Sequence, residues 1–135
     1  MITITKNGLS LVSVLLLVAL LSACNPANIK RGSNLEETLL HYKIMMNRSD
    51  FVAAARFRLP TAPWDVRGLE RFQLSHYEIK QSEFRDGGNT LEQTVFLRYF
   101  NRINMRERST YHKEIWRYDS KSKQWQLDGE PPVFN

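Results

Sequence analysis

The apolar residues of this chain change their spacing near residue 70, and that change restricts the fold more than any other feature. Before it, Leu35, Leu39, Tyr42 and Met46 recur at i, i+4, i+7 and i+11, which is one face of a helix. After it the spacing is two. Phe72–Phe84 reads as a strand, Asp86-Gly87-Gly88-Asn89 as a hairpin turn, and Thr90–Asn101 as the returning strand. Leu91, Val95, Leu97 and Tyr99 share one face of that strand, with Phe96 and Phe100 on the other. A third strand is expected from about Arg106 to Tyr118, after a turn near residues 102–104. Asp119–Lys123 then turns the chain into a fourth strand over Gln124–Leu127. Helices followed by an antiparallel meander give an α+β fold, with two N-terminal helices packed on a curved sheet of about four strands.

Local signals place the boundaries. Ser33 or Asn34 can cap a helix over about 34–47, with Glu36 and Glu37 favouring its positive end. Leu40 and Ile44 widen the apolar face of this helix. Asn47–Asp50 breaks it and caps a second helix near 50–58, which Pro60 ends. Residues 59–68 hold two prolines and a glycine and read as a loop, with Trp64 as a buried anchor. Val133 and Phe134 form a last apolar clip. The register of the first hairpin is fixed by which side chains must share a face. An even loop sets Lys80 opposite Val95 and Glu78 opposite Leu97. An odd loop groups Tyr77 and Ile79 with Val95, Leu97 and Tyr99, so the odd loop is expected. It also brings His76 or Glu78 near Arg98.

The N-terminal segment follows different rules. One charge, Lys6, precedes an apolar run from Leu9 to Leu21. Thirteen helical residues rise only about 20 Å, short of a hydrocarbon core of about 30 Å. A basic start, a short apolar run and small residues make a secretory signal. The tetrad Leu21-Ser22-Ala23-Cys24, which contains the chain's one cysteine, resembles the lipobox of bacterial lipoproteins. That resemblance implies cleavage before Cys24 and a diacylglyceryl group on its thiol, with acylation (palmitate among the chains) of the new amino terminus. Two or more acyl chains give durable anchoring where one does not. By the same resemblance, Asn25 in place of Asp directs a Gram-negative lipoprotein to the periplasmic face of the outer membrane. The expected organisation is a signal peptide over 1–23, a lipidated tether over 24–33, and a small α+β domain over 34–135. Loss of Lys6 with the signal lowers the net charge from +5 to +4. Lys30 and Arg31 of the tether can meet anionic headgroups, or simply be solvated.

The order of elements, helices and then a long antiparallel meander, resembles the nuclear-transport-factor-2-like superfamily, which includes ketosteroid isomerase and scytalone dehydratase relatives. The resemblance implies a cone-shaped sheet with helices in its concave side and a pocket between them. This chain departs from that pattern: residues 59–68 are too short for the short strand and third helix usual before the long strands.

No residue pattern names an activity. A single cysteine excludes a disulfide framework, and His41, His76 and His112 are too scattered for a metal motif. No nucleophile elbow and no glycine-rich phosphate loop is present, and no cofactor is implied. His112, Glu114 and Trp116 alternate on one strand face, so His112 and Glu114 stand about 7 Å apart and can converge on a ligand. The plainer reading, a half-exposed face with Trp116 packing laterally, is favoured. Arg98, Arg102, Arg106, Arg108, Lys113, Arg117, Lys121 and Lys123 cluster, interleaved with Tyr99, Phe100, Tyr111 and Trp116. This resembles a single-strand nucleic-acid platform. An exported chain meets anionic lipids, glycans and envelope proteins instead, so no nucleic acid is expected. Phe96 and Phe100 cannot share the face that meets the helices, so they need a cover such as a partner or a second copy. The expected function is a lipid-anchored envelope protein with a non-enzymatic binding or assembly role. The alternatives are a carrier of small hydrophobic ligands in a pocket lined by Tyr77 and Tyr99, and an isomerase- or dehydratase-like enzyme.

Overall fold

The computed structural model describes residues 26–59 and 64–135, so the signal and lipobox residues Leu21, Ser22, Ala23, Cys24 and Asn25 lie outside the described residues, as does Pro60. Helix α1 spans Pro26–Asn47 and a short helix α2 spans Phe51–Ala55. Four strands follow: β1 (Phe72–Arg85), β2 (Thr90–Asn101), β3 (Glu107–Asp119) and β4 (Gln124–Leu127). They form one antiparallel sheet in the order β1-β2-β3-β4, each strand beside its neighbour in sequence. The architecture is α+β, and residues Asn34–Asn135 make one compact unit.

Helix α1 begins at Pro26, ahead of the cap expected at Ser33 or Asn34. Proline suits a first helical turn because its missing N–H would have no partner there. Gly32, Ser33 and Asn34 are weak helix formers but do not interrupt it, and Thr38 Oγ1 donates back to the Asn34 carbonyl at 2.7 Å. Leu35, Tyr42 and Met46 form its buried stripe and Ile44 is half-buried, whereas Leu40 is exposed and does not widen the stripe. Ser49 adopts a left-handed conformation (φ 58°), and Asp50 caps α2 through Oδ1, which accepts from Ala53 N at 3.0 Å. The second helix is shorter than the expected 50–58. Its continuation turns extended instead, with Leu127 N donating to Phe57 O at 2.6 Å and Leu59 N to Leu127 O at 3.0 Å. Pairing with the end of β4 outcompetes further helical turns.

The register of β1 on β2 groups the expected residues by a different route. Arg85 pairs with Thr90, so the loop holds four residues and is even, not odd. A β-bulge between Ile79 and Gln81 then shifts the register by one residue, which sets Tyr77 opposite Leu97 and Ile79 opposite Val95. A second irregularity between Leu74 and His76 leaves His76 opposite Arg98. The inner face of the sheet therefore carries Leu74, Tyr77, Leu91, Gln93, Val95, Leu97, Tyr99, Glu114, Trp116, Trp125 and Leu127, all buried.

Two distant segments close this core. Trp64 is buried, and its indole N–H donates to the Gly129 carbonyl at 3.3 Å. Phe134 packs against Phe51, Phe72 and Tyr99 with ring centroids 5.7, 5.3 and 4.5 Å away, and Asn135 N donates to the Tyr99 hydroxyl at 3.1 Å. Val133, expected to share this clip, points to solvent.

Candidate functional site

A carboxyl group sits at the centre of the apolar face. Glu114 lies on β3 between His112 and Trp116 and opposite Gln93 of β2. Its side chain has 0% exposure. Strand alternation forces it inward once Trp116 faces the core, because residues two apart share a face. β3 pairs with β2 at Glu114 and with β4 from Trp116 onward. The half-exposed face favoured from the sequence is thus corrected: Glu114 and Trp116 are wholly enclosed.

Three side chains surround the carboxyl. The Tyr77 hydroxyl donates to Glu114 Oε2 at 2.8 Å. Tyr42 of α1 packs edge-on against Trp116 at 5.0 Å and against Tyr77 at 6.4 Å between ring centroids. The Tyr42 hydroxyl and the Trp116 indole N–H face the same carboxyl without completing well-formed hydrogen bonds to it. Glu114 Oε1 and Gln93 Oε1 likewise have no hydrogen-bond partner among the described residues. Gln93 is held from its other end, where Nε2 donates to Ser82 Oγ at 3.1 Å.

Burial dominates the electrostatics. Desolvation pushes the Glu114 carboxyl up to about 7, against the smaller downward pull of Tyr77, Trp116 and Tyr42. Burial also raises the Tyr42 and Tyr77 hydroxyls, and the nearby carboxylate charge raises them further. His112, half-buried on the same face, is lowered to about 4 by desolvation alone and is therefore neutral at pH 7. Glu114 can gain or lose a proton near neutrality, but nothing in solvent touches it in this conformation. In this conformation the carboxyl is enclosed by Tyr77, Tyr42 and Trp116.

The candidate residues thus separate into three places. Tyr77, Glu114 and Trp116 meet in the core, with His112 beside them. Tyr99 lies in the same core but toward the Phe134 clip, where its ring is covered. Phe96 and Phe100 lie on the outer face, opposite Tyr111 and Glu107. Phe96 is half-buried by its neighbours alone: Tyr111 at 5.3 Å, His76 at 6.1 Å, and the Lys80 ammonium 5.7 Å above its ring. The cover that the sequence reading assigned to a partner is partly supplied by the sheet itself. Tyr42 and Gln93 were missed as members of the site. Tyr42 read only as part of a helical stripe. Gln93 carried the usable signal, since it is the one amide between Leu91 and Val95 on an otherwise apolar face.

Among the described residues, no group of three His, Cys, Asp or Glu side chains is placed to hold a metal ion. No described helix is long and apolar enough to cross a membrane. Comparison with family profiles, with characterised proteins and with solved structures finds no match to this chain.

Proposed function

We propose that this chain is a lipid-anchored cell-envelope protein, held at the periplasmic face of an outer membrane through Cys24, with a non-enzymatic binding or assembly role. The observation that carries the reading is the apolar run Leu9–Leu21 ending in Leu21-Ser22-Ala23-Cys24, with the chain's one cysteine at the position a lipobox requires. The enclosed setting of Glu114 supports the non-enzymatic part, because a catalytic carboxyl must touch its substrate. The filled core supports binding at the surface over a carrier function, since Tyr42 occupies the space above Tyr77 and Trp116. On the outer face Tyr111 is 66% exposed beside Phe96, which offers an aromatic contact for an envelope partner or a second copy.

The deciding experiment is Cys24→Ser in cells supplied with a labelled fatty acid. The variant should lose the label and leave the membrane fraction for the soluble one. Retained acyl label on the variant overturns the anchor.

A further inference from the structure

We propose that the tip of the β2–β3 hairpin docks into the interface of an anionic lipid bilayer, with Ile103 and Met105 as its apolar insertions and Arg102, Arg106 and Arg108 as its phosphate contacts. Ile103 is 76% exposed and Met105 67%, the highest and third-highest values among the large exposed hydrophobics. They are two residues apart on the turn that joins the two central strands. Neither packs on the core, whereas Phe96 on the outer face of the same sheet is half-covered by Tyr111 and His76. Exposed apolar residues at a hairpin tip therefore need another explanation.

The charge around the tip is one-sided. Between Arg98 and Lys113 the only acidic residue is Glu107, and it is already engaged with Arg98 at 3.7 Å. Arg102, Arg106 and Arg108 are exposed and form no ion pair among the described residues. Farther along β3 the cations are compensated: Lys113 pairs with Glu92 and Arg117 with Asp128. Three guanidinium groups without an ion pair among the described residues thus flank the two apolar side chains, whereas Lys121 and Lys123 on the β3–β4 turn have no exposed large apolar side chain between them. Guanidinium groups beside an apolar wedge match phosphate headgroups above acyl chains.

The tip is also held in one shape. Met105 N donates to the Asn101 carbonyl at 2.7 Å, Ile103 N to Asn101 Oδ1 at 2.8 Å, and Arg106 N to Asn104 Oδ1 at 3.0 Å. Arg102 N donates to the Arg71 carbonyl at 2.8 Å, which ties the tip to the start of β1. Met105 takes a left-handed conformation (φ 55°) that glycine would adopt more easily. A convex tip presenting apolar side chains would need a matching recess in a protein partner, whereas a fluid bilayer interface conforms to it. That favours lipid over an acidic protein. The proposal does not depend on Cys24, and its test removes that cysteine.

The experiment uses the full chain with Cys24→Ser and a single new cysteine, Ile103→Cys, carrying an environment-sensitive fluorophore. Vesicles of phosphatidylglycerol and phosphatidylcholine, mixed about 3:7, are compared with phosphatidylcholine alone. The proposal expects a blue-shifted, brighter emission with the anionic vesicles only, lost at high salt as screening shortens its range. The double variant Arg102→Gln, Arg106→Gln should raise the lipid concentration needed by about thirtyfold. A probe at Lys121→Cys, on the β3–β4 turn, should not respond. No shift at position 103, or an equal shift at position 121, overturns the proposal. A shift at 103 with polyglutamate but not with vesicles also overturns it, and assigns the tip to an acidic protein partner.

Discussion

The Tyr77 hydroxyl donates to Glu114 Oε2 at 2.8 Å inside the apolar core, joining the edge strand β1 to β3 across β2. A buried carboxyl with one good donor and one unpartnered oxygen holds its proton more tightly folded than unfolded. Its folded pKa of about 7 lies above the ordinary 4.5. Between those values the folded chain binds more protons, so the Glu114 contribution to stability falls as pH rises and is lost above about 7. At 1.36 kcal/mol per unit the whole effect is about 3 kcal/mol. Glu114→Gln removes the titration while keeping the shape. In urea unfolding at pH 8 the variant should exceed the parent by about 1–2 kcal/mol, the rest being offset by the extra N–H that must find a partner. A variant less stable than the parent at pH 8 would show that the carboxylate is better solvated than its burial implies.

His112 works in the opposite direction. Its folded pKa of about 4 lies below the ordinary 6.5, so between those values the unfolded chain binds more protons and stability falls as pH falls. The windows of Glu114 and His112 overlap from about 4.5 to 6.5, where the two slopes cancel. The parent should therefore be nearly flat in stability across that range. Glu114→Gln should unmask a loss toward acid, and His112→Asn a gain toward acid, each on the order of 2 kcal/mol after allowance for the half-exposed imidazole. The double variant should be flat again. Chemical denaturation at pH 4.5, 5.5 and 6.5 reads all four chains. A steep parent curve would sink the compensation.

Removing the hydroxyl tests the network from its other side. Tyr77→Phe leaves the ring packing intact but strips Glu114 of its best donor. An orphaned buried acceptor costs about 1–3 kcal/mol. The loss should be larger at pH 8 than at pH 5, because the charged carboxylate needs the donor more than the neutral acid does. An equal loss at both values would mean that Glu114 does not titrate in this range.

The strand face was legible in the sequence and the mechanism that sets it was not. Alternation alone required Tyr77 and Ile79 to join Val95 and Leu97, and the simplest device was an odd loop. The chain uses a four-residue loop and a bulge at Lys80, and nothing in the residue types marks a bulge in a run of Ile-Lys-Gln. Glu114 was visible as a carboxyl two residues from a tryptophan. Its burial depended on α1 placing Tyr42 over Tyr77 and Trp116, which is a tertiary effect that no local pattern reports. The early start of α1 was hidden for a similar reason: Ser33 and Asn34 read as caps, and the helix runs through them. The bulge gives a prediction. Deletion of Lys80 leaves Ile79 opposite Val95 and Gln81 opposite Thr94 as consecutive pairs, so β1 becomes regular from His76 to Arg85 and Tyr77 still faces Glu114. The deletion should fold, change stability by less than about 1 kcal/mol, and keep the pH behaviour described for Glu114. Loss of that pH behaviour would show that the bulge itself aims Tyr77.

The C-terminal clip separates two adjacent apolar residues by what they touch. Phe134 meets Phe51, Phe72 and Tyr99, and so bridges α2 to β1 and β2, whereas Val133 is exposed. Truncating a fully buried phenylalanine costs about 3–5 kcal/mol, and the half-buried Phe134 should cost about 2. In a unit of this size that lowers the melting temperature by about 10 °C. Val133→Ala should shift it by no more than about 2 °C, because surface truncations lie within about 0.5 kcal/mol. Phe134→Ala should also loosen the Asn135 contact to the Tyr99 hydroxyl, since the phenyl ring is what brings the last residue there. Thermal melts of the two variants decide the matter. Equal shifts would mean that the chain end adds bulk without a specific seat.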